Sequence, residues 1–172
     1  SPIACPEVYD MADALLFVWY PGEQGGNAVA DVLFGDAAPS GRLPLTFPRS
    51  LDDLPPYEDY RMAGRTYRYM EKEPLFPFGF GLSYTTFAYS DLSLSKKSVK
   101  MGDSLTTDVT VTNTGTKTAE EIVQLYITDL EASTVVPLSS LKGMKRVRLY
   151  PGESKTVTFE ITPYLMQIVN DD

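Results

Sequence analysis

Acid–base chemistry in this chain must rest on carboxylates, because the sequence contains no histidine and one cysteine, Cys5. Ser-His-Asp and Cys-His arrangements are therefore excluded, as are His-containing and Cys-rich zinc sites. Glu23, in the loop Pro21-Gly-Glu-Gln-Gly-Gly26, is the most tempting carboxylate. The neighbouring glycines could instead cradle a phosphate at the start of a helix. That turn lacks the Lys-Ser/Thr of a P-loop and the full G-x-G-x-x-G spacing, and Glu23 repels an anion. Glycines supplying special backbone conformations are the favoured reading. Asp52 and Asp53 are adjacent on a loop, where neighbouring side chains point apart, so they read as a solvated turn. Arg65, Tyr67, Arg68 and Tyr69 combine guanidinium donors with aromatic faces that could stack on a sugar ring. The plainer alternative has Tyr67 and Tyr69 packing under a loop and Arg65 pairing with Glu58 or Asp59.

Composition narrows the partners. A formal net charge of -8 disfavours a nucleic-acid surface, which needs clustered Lys and Arg. No apolar run approaches the roughly 20 residues that span a bilayer. With 43% hydrophobic and 22% charged residues, the chain can bury a core and is expected to be ordered. A single cysteine forbids an internal disulfide, so packing must supply the stability. The chain starts without Met and enters its first apolar run almost at once, which reads as a cut edge of a larger protein.

The elements that position these residues follow from pattern. Ala14 to Tyr20 is nearly continuous in apolar residues, as expected of a strand buried on both faces of a parallel sheet. Pro21-Gly22 ends it, and ligands bind beyond the carboxyl ends of such strands. Trp19 at that end is either a sugar platform or a core residue. Val29, Val32 and Leu33 recur at helical spacing, with Asn27 as N-cap and Gly35 as terminator. Leu43 to Phe47 reads as an edge strand because of Pro44, which completes a β-α-β unit. Residues 48–62 form an ordered surface loop anchored by Leu54, Tyr57 and Tyr60, and the alternation in 64–70 predicts a further strand.

Composition changes near Phe87. Beyond it lie the short β-forming runs 89–94, 105–113, 122–130, 142–149 and 155–161, separated by turn residues. Thr107, Val109, Val111 and Asn113 share one face, and Val157, Phe159 and Ile161 alternate with polar residues. Strands repeating about every 8 to 12 residues indicate an antiparallel sandwich.

The strings PGEQGGNAVADVLFGDAAPSGRLPLTFP, GRTYRY and FPFGFGLSYTTF closely resemble the C-terminal part of glycoside hydrolase family 3 enzymes, the β-glucosidases and β-xylosidases. The resemblance implies a mixed α+β chain: residues 1–87 as the C-terminal remnant of an α/β sandwich domain, and 88–172 as a fibronectin type III-like, immunoglobulin-like antiparallel β-sandwich. The family's sandwich continues with further strand sequence, so its last strand is expected to be missing here or provided by another part of the protein. The implied activity is retaining, exo-acting hydrolysis of β-glucosides or β-xylosides, with two carboxyl groups roughly 5 to 5.5 Å apart. In the family the nucleophilic aspartate lies in a preceding barrel domain and the acid/base glutamate upstream of the PGEQGG-like loop. No catalytic residue is therefore expected in this segment, which should be inactive alone. The resemblance implies substrate contacts from Glu23, Gln24, Tyr60 and Arg65, with no metal or organic cofactor. Expected partners are an oligosaccharide or aryl β-glycoside and the missing barrel and α/β portions of the same enzyme, in a periplasmic or secreted setting. The rival reading is a non-catalytic carbohydrate-binding or adhesion β-sandwich module, for which the 14–47 unit is superfluous.

Overall fold

A computed structural model of the protein describes residues 3–168. They fall into two compact units, one drawn from Ser1–Ala37 and Gly41–Leu82, the other from Ala38–Ser40 and Ser83–Asp172.

The first unit holds α1 (Pro6–Met11), α2 (Gly25–Phe34), a 3-10 turn at Leu51–Asp53 and the single-turn α3 (Thr66–Tyr69). Its centre is aromatic. Phe47, 3% exposed, meets Phe17 edge-on at 5.2 Å and Phe76 at 6.1 Å. Tyr9 and Phe80 extend the cluster from Phe76, and Trp19 extends it from Phe17. Edge-to-face pairs of this kind contribute about 0.5–1.5 kcal/mol each beyond their burial.

Three expected strands are absent from this unit. The apolar run 14–20 pairs with no strand among the described residues, and Leu15 to Trp19 remain 37–46% exposed. A strand meant for burial on both faces needs neighbours on both sides, and here it has none. Trp19 also adopts the left-handed φ of 53°, which breaks the extended conformation. The segment 43–47 makes a single antiparallel bridge, Phe47 to Phe76, flanked by Leu43 N–H donating to Phe80 O at 2.8 Å. Pro44 lacks the donor that a continuous ladder requires. The alternating stretch 64–70 becomes α3, which Met70 N–H closes onto Thr66 O at 2.9 Å. One helical turn sets Tyr67 and Met70 on the same side; Tyr67 stacks on Phe78 at 4.2 Å and Met70 is buried.

α2 begins three residues earlier than expected. Gln24, not Asn27, is its N-cap, and Asn27 Nδ2 donates to Gln24 Oε1 at 2.6 Å from within the first turn. Gly35 ends the helix in the left-handed conformation, φ 82°, as predicted.

The second unit is a β-sandwich of β1 (Phe87–Leu94), β2 (Leu105–Asn113), β3 (Ala119–Ile127), β4 (Ser140–Leu149) and β5 (Ser154–Ile161). One antiparallel sheet has the order β1-β2-β5 and the other pairs β3 with β4. The predicted alternation appears in the burial: Thr107, Val111, Asn113, Val157, Phe159 and Ile161 are all buried. Val111, Val123, Leu149, Val157 and Phe159 form the core between the sheets. The third run sits three residues earlier than expected, at 119–127 rather than 122–130.

Asn113 locks the turns at one end of this sandwich. It is fully buried, and its Nδ2 donates to Leu149 O at 3.0 Å and Lys117 O at 2.8 Å. Its Oδ1 accepts from Thr85 Oγ1 at 2.6 Å and Gly115 N–H at 3.1 Å. Every polar atom of the amide is thus satisfied, as burial demands.

Candidate functional site

The four residues expected to touch substrate fall in two places. Glu23 and Gln24 occupy the turn that starts α2, and both are exposed. The turn closes through Gly25 N–H donating to Gly22 O at 2.9 Å. Gly25 is required there, because a Cβ at that position lies 2.5 Å from Pro21 Cβ. Sequence and sterics together present the Glu23 carboxylate to solvent at a helix start.

Tyr60 and Arg65 belong to the loop of residues 48–65. Its first part is pinned by a capping box: Asp52 N–H donates to Ser50 Oγ at 3.1 Å and Ser50 N–H to Asp53 Oδ2 at 3.0 Å. Lys72 Nζ bonds Asp53 Oδ1 at 3.1 Å and Asp52 O at 3.3 Å. Lys72 and the Ser50 amide together hold the Asp53 carboxyl below its ordinary range. Asp52 and Asp53 therefore do not converge on a shared site.

Its second part is braced by two arginines. Asp59 takes a bidentate grip from Arg61, Nη2 to Oδ2 at 2.8 Å and Nε to Oδ1 at 3.0 Å, plus the Arg61 amide at 3.0 Å. Those bonds, the side-chain ones first, pull the Asp59 carboxyl down to about 2. Among the described residues Arg65 forms no ion pair with Glu58 or Asp59, contrary to the simpler expectation. Its Nη2 donates to Asp59 O at 2.6 Å and Pro56 O at 3.1 Å, and its Nε to Arg61 O at 3.2 Å. The guanidinium is a staple across the loop. Tyr57 and Tyr60, inside the stapled stretch, stay 86% and 85% exposed.

Among the described residues, no hydrogen bond or ion pair joins Glu23 or Gln24 to Tyr60 or Arg65. Two features of the loop had no sequence signal. The Lys72 anchor lies 19 residues from Asp53, and the acceptors of Arg65 are backbone carbonyls, which every residue carries. Among the described residues, no group of three or more His, Cys, Asp or Glu side chains could hold a metal ion.

Residues 1–84 match the glycosyl hydrolase family 3 C-terminal domain, and residues 121–172 match the fibronectin type III-like domain. The chain belongs to glycoside hydrolase family 3. It is similar to a periplasmic β-glucosidase of Salmonella typhimurium, 44% identical over 93% of this chain and 22% of that protein. A β-xylosidase of Formosa agariphila is 42% identical over 99% of this chain and 24% of its own length. The structure of β-glucosidase 3B from Thermotoga neapolitana with α-D-glucose superposes at a TM-score of 0.84, with 38% identity over 94% of this chain and 24% of that one. The chain thus spans less than a quarter of these family 3 relatives and corresponds to the C-terminal part of a larger enzyme. No helix among its described residues is long and apolar enough to cross a membrane.

Proposed function

We propose that this chain is the C-terminal segment of a retaining, exo-acting β-glycosidase that removes terminal β-glucosyl or β-xylosyl residues. The observation that carries the reading is the similarity to both a β-glucosidase and a β-xylosidase over more than nine-tenths of the chain. Residues 1–87 act as the end of the α/β sandwich domain, and residues 88–172 as a fibronectin type III-like sandwich. Glu23, Gln24 and Tyr60 contribute to the pocket wall, with Arg65 in the same loop as Tyr60. The nucleophilic aspartate and the acid/base glutamate lie outside this segment. A carboxylate attacks the anomeric carbon, the acid protonates the leaving oxygen, and the conjugate base then activates water.

The substrate is an oligosaccharide or an aryl β-glycoside, and the segment's other partners are the barrel and the remaining α/β portion of the same enzyme. The acidic chain, with its net charge of -8, suits neutral sugars better than nucleic acid. A periplasmic or secreted setting is inferred from the similarity to the periplasmic β-glucosidase of Salmonella. The purified 172-residue chain is expected to release no p-nitrophenol from p-nitrophenyl β-glucoside or β-xyloside. Turnover by the chain alone overturns the division of labour. In the longer enzyme, proton NMR of the first-formed sugar should show the β anomer; an α product rules out retention.

A further inference from the structure

Residues 150–153 carry the chain from β4 of one sheet to β5 of the other, and among the described residues each of these strands has one edge that no strand pairs. Open edges present rows of backbone N–H and C=O groups that template pairing with another chain. The register says which groups face outward on β5. Asn113 N–H donates to Glu153 O at 3.0 Å, so Lys155, Val157 and Phe159 bond β2, and the alternate residue Thr158 turns its N–H and C=O to the open edge.

Two lysines occupy positions that periodicity reserves for the core. Lys145 on β4 stands across from Val123, and Lys155 on β5 stands across from Val111; both valines belong to the buried cluster. Neither ammonium stays inside. Lys145 Nζ crosses to β5 and donates to Thr158 O, lying 5.4 Å from the centre of the Phe159 ring. Lys155 Nζ crosses the other way and donates to Arg148 O of β4 at 2.8 Å, with Glu153 Oε1 at 3.2 Å. Gly143 lets β4 come this near, because a Cβ there lies 2.9 Å from Phe159 Cδ1. The two stems flank the core while the charged heads remain at the surface. An inward-pointing lysine on an edge strand is a known defence against edge pairing. Here an incoming strand must also displace each ammonium from a carbonyl that it would itself need.

We propose that Lys145 and Lys155 are reciprocal edge guards, which keep β4 and β5 from pairing with the same strands of a second copy of this chain. A second copy is the partner that the β5 edge suits. Its residues 156–159, Thr-Val-Thr-Phe, are uncharged and β-forming, so they can pair antiparallel with themselves about a two-fold axis. Thr158, whose carbonyl Lys145 takes, lies inside that run.

Two measurements test the guards. In the unsubstituted 172-residue chain, the ammonium nitrogen resonances of Lys145 and Lys155 should be visible, slowed in proton exchange by their carbonyl partners, while that of the exposed Lys97 is lost to water. Fast exchange at both guards overturns the proposal. Sedimentation velocity then compares this chain with the double variant Lys145→Met, Lys155→Met, in which apolar stems of similar length replace the guards. Its self-association Kd is expected to fall by roughly tenfold or more, the scale of a few backbone hydrogen bonds. Its Thr156 and Thr158 amides should gain protection from exchange, with Val111 and Leu149 protected as before. The double variant Lys145→Arg, Lys155→Arg keeps long charged donors and should associate no more than the unsubstituted chain. An unchanged Kd in the methionine variant, equal association by the arginine variant, or new protection confined to β1 and β3 overturns the proposal.

Discussion

The two units solve the burial problem in opposite ways. In the sandwich, every strand meets a partner that this chain supplies, β2 with the distant β5 included, and alternate residues of β2, β3 and β5 close over a core in which Val111 and Leu149 are fully buried. In the first unit the most apolar run, Leu15 to Trp19, stays more than a third exposed, and order comes from one aromatic cluster and a set of charged braces. The contrast teaches that a period-two pattern needs burial on one face only, whereas a continuous apolar strand needs neighbours on both.

The comparison is broken most directly by cutting one core residue from each unit. Leu149→Ala removes a fully buried side chain and should cost about 2–5 kcal/mol of sandwich stability. Phe17→Ala removes a side chain that is 37% exposed and should cost less than about 2 kcal/mol. Urea unfolding followed separately in the two units, by NMR of residues in each, measures both. Equal losses contradict the claim that only the sandwich carries a closed core.

Asn113→Ala sharpens the same point within the sandwich. It orphans the carbonyls of Leu149 and Lys117, the Gly115 amide and the Thr85 hydroxyl at once, at about 1–3 kcal/mol for a buried group left unmade. The expected loss therefore exceeds that of Phe17→Ala although fewer apolar atoms are removed. A loss below about 1 kcal/mol means that water replaces the amide and that the turns around it are not locked.

What could be read from the sequence follows the same division. Val157, Phe159 and Ile161 announce an inward face because both their partners and their periodicity lie within the chain. All five sandwich strands were legible, to within a few residues at the ends. Leu15 to Tyr20 has the composition of a buried strand, and the structure leaves it unpaired because composition records what a segment needs and not whether it is present. The stretch 64–70 misled for another reason: a four-residue helix is too short to show a period that excludes alternation. Glu23, Gln24 and Tyr60 could be placed on exposed turns, and the family could be recognised from its motifs. The role of Arg65 could not be, since a guanidinium that binds carbonyls leaves no partner residue in the sequence to find.

The smallest effect concerns the braces of the first unit, and it is read best by pH. The Asp59 carboxyl is lowered from 3.8 to about 2, chiefly by its hydrogen bonds from Arg61. A group whose folded value lies below its unfolded value stabilises the fold above the unfolded value and loses that contribution as pH falls. The Asp59–Arg61 brace should thus be intact at pH 5, weaken between about pH 4 and pH 2, and be absent below that range. Carboxyl carbon NMR of Asp59 should give a midpoint near 2. Over the same interval the Arg61 amide, which donates to Asp59 Oδ1, should lose protection from exchange while the amides of Val111 and Val157 keep theirs. A midpoint near the ordinary aspartate value would show that the loop is not held by this pair. Because Arg61 is exposed, 83% at its side chain, added salt should move the midpoint upward by screening the guanidinium. Among the described residues the sandwich core of Val111, Val123, Leu149, Val157 and Phe159 carries no ionisable side chain, whereas the turn before β5 should respond too, because the Tyr150 amide and Lys155 hold the Glu153 carboxyl below its ordinary range.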